Sequence, residues 1–269
     1  SIGVGHLAEN IAQSEVYARQ ALDMCLGRGG DQAAVKTDSG FEFFGGVSNG
    51  MEKRTKVKSR IIATALLELV KESDTVFIMG HKMGDMDSVG AATGLCAAMR
   101  SIGNEAYVVV DPDKNLAKPI INYIKQYEKQ EFYISPSQAI MRLDEQSVVI
   151  IVDTHNPDFV DSPELYHSAE KIVVMDHHRK MVKHIDDAVI FFHEPQASSV
   201  CEMITELIQY FGDKAKLTPP QAEAVLAGIM LDTKNFVMRT GVRTFEAAAY
   251  LRRIGADTVS VKKLFSNSI

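Results

Sequence analysis

The chain has 269 residues, of which 46% are apolar and 24% charged, and its formal net charge is −6. This length and composition fit a globular protein with one large or two modest domains. The negative charge disfavours a surface that tracks long nucleic acid or binds an anionic membrane. Three cysteines, Cys25, Cys96 and Cys201, form no CxxC pair, which favours a reducing compartment over a disulfide framework.

The first part of the chain predicts an α+β fragment. Residues 1–50 contain a strand-like SIGVG, a helical AENIAQSEVYARQALDMCL, and a glycine-rich segment that runs from GRGGDQAAVK to FEFFGG. About 50 residues are too few for an independent core, and the chain begins without methionine, so we expect a fragment of a longer protein. Residues 51–73 carry apolar side chains at helical spacing behind a basic lead-in, which predicts an amphipathic linker helix.

From residue 74 the pattern is that of an α/β domain. The runs that predict strands are TVFIMG, AYVVVD, EFYI, SVVIIVD, KIVVMD and AVIFF. Several are apolar throughout, as in a parallel sheet whose faces are both covered by helices. After about residue 195 the pattern becomes helical, and Gly103 and Gly255 stand where helix C-caps are expected. We therefore predict a mostly parallel sheet with helices on both faces, followed by a helical segment.

Acids and histidines stand at the ends of three predicted strands and of one apolar helix. They are His81, Asp85 and Asp87 after TVFIMG, Asp153 after VVIIV, Asp176, His177 and His178 after IVVM, and Asp232 after AVLAGIML. Open parallel sheets place their ligands at the carboxyl ends of the strands. We therefore expect these side chains to meet at one edge of the sheet.

Each of these residues also has a structural explanation. Asp87 stands where it could cap a helix, and His81 and Asp153 stand where they could satisfy a turn. Asp232 is harder to explain in this way, because a carboxylate at the end of an apolar helix needs a partner.

The donor set favours two divalent ions. Imidazoles and carboxylates suit Mn²⁺ or Mg²⁺, and the lack of cysteine ligands disfavours structural zinc. Six side chains are too many for one ion with an open position, but they suit two ions about 3.5–4 Å apart that share a carboxylate, the arrangement for in-line displacement at phosphorus. The sequence contains no GxSxG, GxxxxGK[ST] or HExxH motif that would supply a different chemistry.

In this order, GHKMGDMDSVGAA, VDTH, DHHRK and GIMLDTKNF resemble the four motifs of the DHH phosphoesterases. That family includes inorganic pyrophosphatases, single-strand exonucleases and small-nucleotide phosphodiesterases. The preceding segment, from SIGVG through GRGGDQAAVK to EKRTKVKSRIIATAL, resembles the tail of a degenerate GGDEF domain. The combination is similar to the membrane-anchored cyclic-di-AMP phosphodiesterases of the GdpP type. One departure is MGDMD, where a pair such as Asn-Pro is expected before DMD; the ligand positions are intact.

The resemblance implies a domain order. Residues 1–50 would be the tail of a GGDEF-like domain, residues 51–73 a linker helix and residues 74–269 a DHH domain. It implies further parts outside this chain: a C-terminal domain that grips the substrate, and an upstream membrane anchor that leaves the catalytic domain facing the cytoplasm.

The resemblance also implies roles for the site residues. One Mn²⁺ would be held by His81, Asp85 and Asp153, and the other by Asp87, Asp153, His177 and Asp232. Asp153 is then the bridge and, with His178 beside the substrate phosphate, a catalytic residue. Asp176 would orient the neighbouring histidines. Arg179, Ser198 and Ser199 match positions that meet phosphate oxygens, although surface solvation and a helix N-cap explain these three almost as well.

The leading hypothesis is a phosphodiesterase with two manganese ions per chain that opens cyclic-di-AMP to the linear dinucleotide pApA by in-line attack of a metal-bound hydroxide. The same centre could act on short oligonucleotides or other dinucleotides, because the motifs handle phosphate and not the base. A third hypothesis is a nucleotide-sensing module without turnover, but the loss of a ligand that it predicts is not seen. We expect a cyclic dinucleotide as the partner and no long nucleic acid, and a homodimer stays open.

Overall fold

The computed structural model describes residues 1–27, 32–45, 52–111 and 114–266 of the chain. The chain divides into two compact units. The smaller comprises Ser1–Thr55 and His178–His184, and the larger comprises Lys56–His177 and Ile185–Ile269. The predicted boundary at residues 50 and 51, and part of the GRGGDQAAVK segment, lie outside the described residues.

The smaller unit contains a sheet that packs against one helix. Its elements are β1 (Ile2–Gly5), α1 (Ile11–Gly27), β2 (Gln32–Thr37) and β3 (Gly40–Gly45). β2 pairs parallel with β1 and antiparallel with β3. α1 lies close to β1, because a Cβ on Gly3 would be 2.2 Å from the Ala18 carbonyl oxygen. No strands are predicted for the glycine-rich segment, yet it contains β2 and β3. In β2, cross-strand pairing outweighs the weak strand preference of its alanines.

The larger unit alternates strands and helices and then becomes helical. Its strands are β4 (Thr75–Met79), β5 (Glu105–Val109), β6 (Tyr133–Ile134), β7 (Val148–Val152), β8 (Lys171–Asp176) and β9 (Ile190–His193). The helices are α2 (Glu52–Lys71), which belongs to this unit from Lys56 onward, α3 (Met86–Ser101), α4 (Lys118–Lys125), α5 (Pro136–Arg142), α6 (Pro163–Ser168), α7 (Val200–Ile208), α8 (Pro219–Asp232), α9 (Val242–Arg253) and α10 (Thr258–Ser266). Every strand predicted from residue 74 onward is confirmed.

The order of the large sheet is β6-β5-β4-β7-β8-β9, and each pairing between its described strands is parallel. The chain enters at β4, moves outward through β5 and β6, and then returns to β7 on the other side of β4. The strand order therefore reverses between β4 and β7. In open α/β sheets, ligands bind in the crevice that such a reversal creates at the carboxyl ends of the strands.

Helices cover both faces of this sheet, as predicted. Val76 and Ile78 of β4 point into a core that includes residues of α3, α7 and α8. Phe77 and Met79 point to the opposite face, where they pack with residues of α5 and α6. Because both faces are buried, the strands tolerate continuous apolar runs instead of alternation.

The predicted amphipathic helix is α2. Its residues Ala63, Leu66 and Val70 are at most 1% exposed and belong to the first of these two cores, whereas Ile61 on the opposite side is 62% exposed. The apolar face of α2 is thus part of the core of the larger unit.

The helix ends predicted at glycines are confirmed. Gly103 follows α3 with φ +103° and Gly255 follows α9 with φ +113°, a conformation that glycine adopts without a Cβ clash. Among the described helices, none combines the length and the apolar character needed to cross a membrane.

Candidate metal centre

The six predicted ligand residues come together at the carboxyl ends of β4, β7 and β8. The first ligand group consists of His81, Asp85 and Asp153, and the second ligand group consists of Asp87, His177 and Asp232. Within each group the candidate ligand atoms lie within 4.8 Å of one another. Strand ends supply His81, Asp153 and His177, while helices α3 and α8 supply Asp87 and Asp232. The reversal between β4 and β7 is therefore what brings the groups side by side.

Asp153 faces both imidazoles of the centre. Its Oδ2 lies 3.3 Å from His81 Nε2, and its Oδ1 lies 3.5 Å from His177 Nε2. The side chain is only 3% exposed. Its backbone has φ +63°, a left-handed conformation that Asp and Asn adopt more readily than most residues. A buried carboxylate with one oxygen towards each ligand group has the arrangement of a bridging ligand.

Both histidines present the same ring nitrogen to the carboxylates. His81 Nδ1 lies 2.8 Å from the Lys82 carbonyl oxygen, and His177 Nδ1 lies 3.4 Å from the Ala197 carbonyl oxygen. His177 Nε2 is 3.2 Å from Asp232 Oδ2. In metal sites, a carbonyl bound to one ring nitrogen fixes the tautomer and directs the other nitrogen to the ion.

Asp85 and Asp87 have different roles at helix ends. Asp85 caps α3, since its Oδ1 accepts hydrogen bonds from the Asp87 and Ser88 amides at 2.9 and 3.0 Å. Asp87 instead accepts hydrogen bonds from the amides of Val200 and Cys201 at the start of α7, at 2.8 and 2.9 Å. The expectation that Asp87 caps its own helix is therefore wrong. Asp85 is the N-cap of α3.

The electrostatics of the centre fit divalent cations. Burial, and then the charges of Asp153 and Asp232, raise the pKa of Asp87 well above its usual value. Burial lowers the pKa of His81 and of His177, but hydrogen bonds and charges from neighbouring carboxylates outweigh it and raise both to about 11. The carboxylates therefore stabilise positive charge in the space that they surround. Four carboxylates would neutralise two divalent ions, and oxygen with imidazole donors suits Mn²⁺.

Asp176 is the last residue of β8 and is fully buried. It is hydrogen-bonded to Nδ1 of His155, whose ring meets Phe191 and His193 edge-on. Asp176 is thus bonded to a histidine in the segment that follows β7. The predicted role of Asp176 in orienting His177 and His178 stays a prediction.

The residues predicted to contact phosphate occupy two different settings. His178 and Arg179 are exposed and begin the His178–His184 segment of the smaller unit. Ser198 and Ser199 are at most 1% exposed. Ser198 Oγ donates to Glu202 Oε2 at 2.6 Å, and Ser199 Oγ accepts from the Glu202 amide at 3.1 Å, which caps α7. For all four, a contact with phosphate stays a prediction.

Two acids near the centre are not predicted from the sequence. Asp161 donates its amide to the Gly80 carbonyl at 2.9 Å, and burial raises its pKa to about 6. Glu202 is 1% exposed. Glu202 and Glu206 are one turn apart on α7. Their burial depends on Arg243 of α9, for which the local sequence carries no signal.

The family is established by sequence comparison. The model of the DHH family, N-terminal domain, matches residues 75–229. The chain therefore belongs to the DHH family, and the predicted resemblance is confirmed.

Over its whole length the chain is similar to longer curated proteins. It is 44% identical to the cyclic-di-AMP phosphodiesterase GdpP of Geobacillus thermodenitrificans and 43% identical to that of Bacillus subtilis, of which it covers 42% and 41%. The chain thus spans less than half the length of these relatives. The bifunctional oligoribonuclease and PAP phosphatase NrnA of Thermus thermophilus is 27% identical over 70% of this chain and 51% of that protein.

A solved structure shares the fold. The exopolyphosphatase-related protein from Bacteroides fragilis superposes with a TM-score of 0.63 over 77% of this chain and 61% of that chain, at 19% identity. The predicted fold class, a mostly parallel α/β sheet with helices on both faces, is thereby confirmed.

Proposed function

We propose that this protein is a phosphodiesterase that hydrolyses cyclic-di-AMP to the linear dinucleotide pApA at a centre for two Mn²⁺ ions. The observation that carries the proposal is Asp153, whose two carboxylate oxygens face the imidazoles of His81 and His177. Full-length similarity to proteins named cyclic-di-AMP phosphodiesterases supports the choice of substrate.

In this proposal the first ligand group would hold one ion, and the second ligand group together with Asp153 would hold the other. Divalent ions in such a site supply a water of lowered pKa and neutralise charge on the phosphodiester. The chain's own part is to fix the donors. The carbonyls of Lys82 and Ala197 set the tautomers of His81 and His177, and the α7 amides orient Asp87.

Substrate contacts form the second part of the proposal. His178 lies beside the attacked phosphate, and Arg179 donates to phosphate oxygens with its planar fork, which matches their geometry. Both are exposed and accessible to a ligand. Ser198 and Ser199 are the second pair of proposed phosphate contacts. Their hydroxyls also make hydrogen bonds at the start of α7.

The domain order belongs to the same proposal. Residues 1–50 form the tail of a GGDEF-like domain, residues 51–73 a linker helix and residues 74–269 the DHH domain of a protein anchored to the membrane with its catalytic domain in the cytoplasm. The resemblance of the leader segment and the match to relatives more than twice as long support this order.

Product analysis tests the function. Cyclic-di-AMP, cyclic-di-GMP and a linear dinucleotide are incubated with the protein and Mn²⁺, with a chelator in a parallel sample. We expect cyclic-di-AMP to yield pApA and the chelator to stop the reaction. Preferred cleavage of the linear dinucleotide would instead support an oligonucleotide-degrading activity, for which the NrnA relative is a precedent.

Asp153→Asn tests the centre itself. Asparagine tolerates φ +63°, so the variant removes the bridging charge without straining the backbone. We expect turnover to fall at least about 100-fold, the upper end for residues that only support a ligand, and both ions to be lost. Asp213→Asn, an exposed carboxylate in the loop after α7, is the matched control and keeps wild-type turnover. Wild-type turnover in Asp153→Asn would contradict the proposal that Asp153 bridges the two ions.

A further inference from the structure

The place of Asp87 depends on a contact between two helices. Asp87 lies in the first turn of α3, is fully buried, and accepts hydrogen bonds on both carboxylate oxygens from the N-terminus of α7. The first amides of a helix have no partner within that helix, so α7 directs two otherwise unused donors at this one side chain. A carboxylate offers about four acceptor positions, which leaves Asp87 able to bind an ion as well.

Glu202 holds the start of α7 in place. Its Oε2 accepts hydrogen bonds from Ser198 Oγ at 2.6 Å, from the Ser198 amide at 3.3 Å and from Thr244 Oγ1 at 2.6 Å. Its own amide donates to Ser199 Oγ at 3.1 Å. This single carboxylate, 1% exposed, therefore fixes the turn that leads into α7 and joins that turn to α9.

A second glutamate on α7, Glu206, lies one turn after Glu202 and faces the same arginine. Arg243 Nε lies 3.7 Å from Glu202 Oε1, and the same guanidinium donates to both oxygens of Glu206 at 2.6 and 2.7 Å. Glu206 also accepts from Ser59 Oγ at 3.0 Å, whereas Glu202 accepts from the turn before α7. Both acids share a helix and an arginine, but the bonds to the turn belong to Glu202.

We propose that Glu202 is a positioning residue for Asp87. By holding the turn before α7, it aims the two α7 amides at the Asp87 carboxylate and so raises the Mn²⁺ affinity of the second ligand group. Glu202 acts through these amides, and the first ligand group does not depend on it. The inference rests on the proposed function, because it assumes that the second ligand group binds Mn²⁺.

Glu202→Gln is the direct test. Glutamine keeps the length of the side chain and can place its oxygen where Oε2 lies, but a neutral oxygen accepts these hydrogen bonds more weakly than a carboxylate. Its NH2 group then faces the Arg243 guanidinium, which is also a donor. The metal-free 269-residue protein is titrated with Mn²⁺, and free Mn²⁺ is read from its electron paramagnetic resonance signal. We expect one of two sites to weaken about tenfold, the lower end of the effect of residues that support a ligand.

Glu206→Gln is the matched control, since it removes a charge from the same helix and the same arginine. We expect it to lower the melting temperature about as much as Glu202→Gln and to leave both Mn²⁺ affinities within about twofold of wild type, because tenfold effects are typical only of residues that support a ligand. Equal weakening of Mn²⁺ binding in both variants would overturn the proposal, since the effect would then be a general loss of structure.

A double-mutant cycle assigns the weakened site. In an Asp232→Asn background, which disables the second ligand group, the effect of Glu202→Gln on Mn²⁺ affinity should vanish; in a His81→Gln background it should persist. If the wild-type protein binds no Mn²⁺, the metal centre itself fails. If it binds two ions and Glu202→Gln equals wild type, the positioning role fails while the centre stands.

Discussion

At the scale of single residues, Asp161 is a partly buried acid whose ionised form destabilises the folded state. Burial raises the pKa of its carboxyl from 3.8 to about 6, against a hydrogen bond from the Asp111 amide that lowers it. An acid whose pKa is raised on folding binds its proton more tightly in the folded chain. Its effect on stability is therefore absent below the unfolded pKa and becomes unfavourable as the pH rises from about 4 to about 6.

Asp161→Asn should remove this effect, because asparagine is neutral and still accepts from the Asp111 amide. In metal-free protein at pH 8 we expect the variant to unfold with a free energy about 1–2 kcal/mol higher than wild type, a value reduced for the partial exposure of the site. At pH 4 the gain should disappear. Urea unfolding at both pH values measures it. Asp158→Asn, exposed in the same loop, should show no such pH-dependent gain, and an equal gain there would contradict the assignment to burial.

The meeting of the candidate ligand residues can be predicted from sequence, whereas the residues that support them cannot. His81, Asp153 and His177 follow apolar strands, and parallel strands bring their carboxyl ends to one edge. Glu202 offers no such pattern, because its burial depends on Arg243, 41 residues further along the chain, at 3.7 Å. Local periodicity reports the face of a helix and not the side chain that arrives from a distant helix.

At the scale of elements, the packing of α3 against α8 depends on small residues. A Cβ on Gly228 of α8 would lie 2.4 Å from Cys201 Sγ, 2.8 Å from Asp87 Cα and 2.9 Å from the Met86 carbonyl oxygen. Contacts below 3.0 Å require a shift, and here the two backbone atoms belong to α3 itself. The close approach of these helices thus fixes the backbone of Asp87, a candidate ligand residue.

Gly228→Ala should therefore destabilise the protein by about 1–3 kcal/mol, the usual range for overpacking a well-filled core. Thermal or urea unfolding measures the loss. Gly241→Ala is the control, because its backbone is extended at φ −122° and an added Cβ meets no atom within 4 Å. A Gly228→Ala variant as stable as the control would show that α3 and α8 yield at this point without cost.

Strands that are buried and apolar throughout can be predicted from sequence, whereas strands that form only because a neighbouring strand pairs with them cannot. The long apolar runs of β4 and β7 are buried on every residue, so hydrophobicity reveals them. β2 pairs with β3 from Gln32 to Thr37, but its sequence is short, rich in alanine and adjoins glycines. Its strand conformation is set by its neighbours and not by its own composition.

At the scale of the whole molecule, the candidate metal centre joins distant parts of the larger unit. His81 follows β4, His177 follows β8, and Asp232 ends α8, so a pair of ions held there would link segments separated by about 150 residues of chain. The folded state presents these donors together and the unfolded chain does not. Ion binding must therefore favour the folded state by mass action.

We expect Mn²⁺ at about one hundred times its dissociation constant to raise the free energy of unfolding by about 2.7 kcal/mol for each site, and thus by about 5 kcal/mol for two. For a unit of this size the melting temperature should rise by on the order of 10 °C. Differential scanning calorimetry with Mn²⁺ and with a chelator measures the shift. Asp153→Asn should abolish most of it, because that carboxylate faces both ligand groups, whereas Asp213→Asn should retain it. An equal shift in both variants would mean that Mn²⁺ stabilises the chain from somewhere other than the strand ends of β4, β7 and β8.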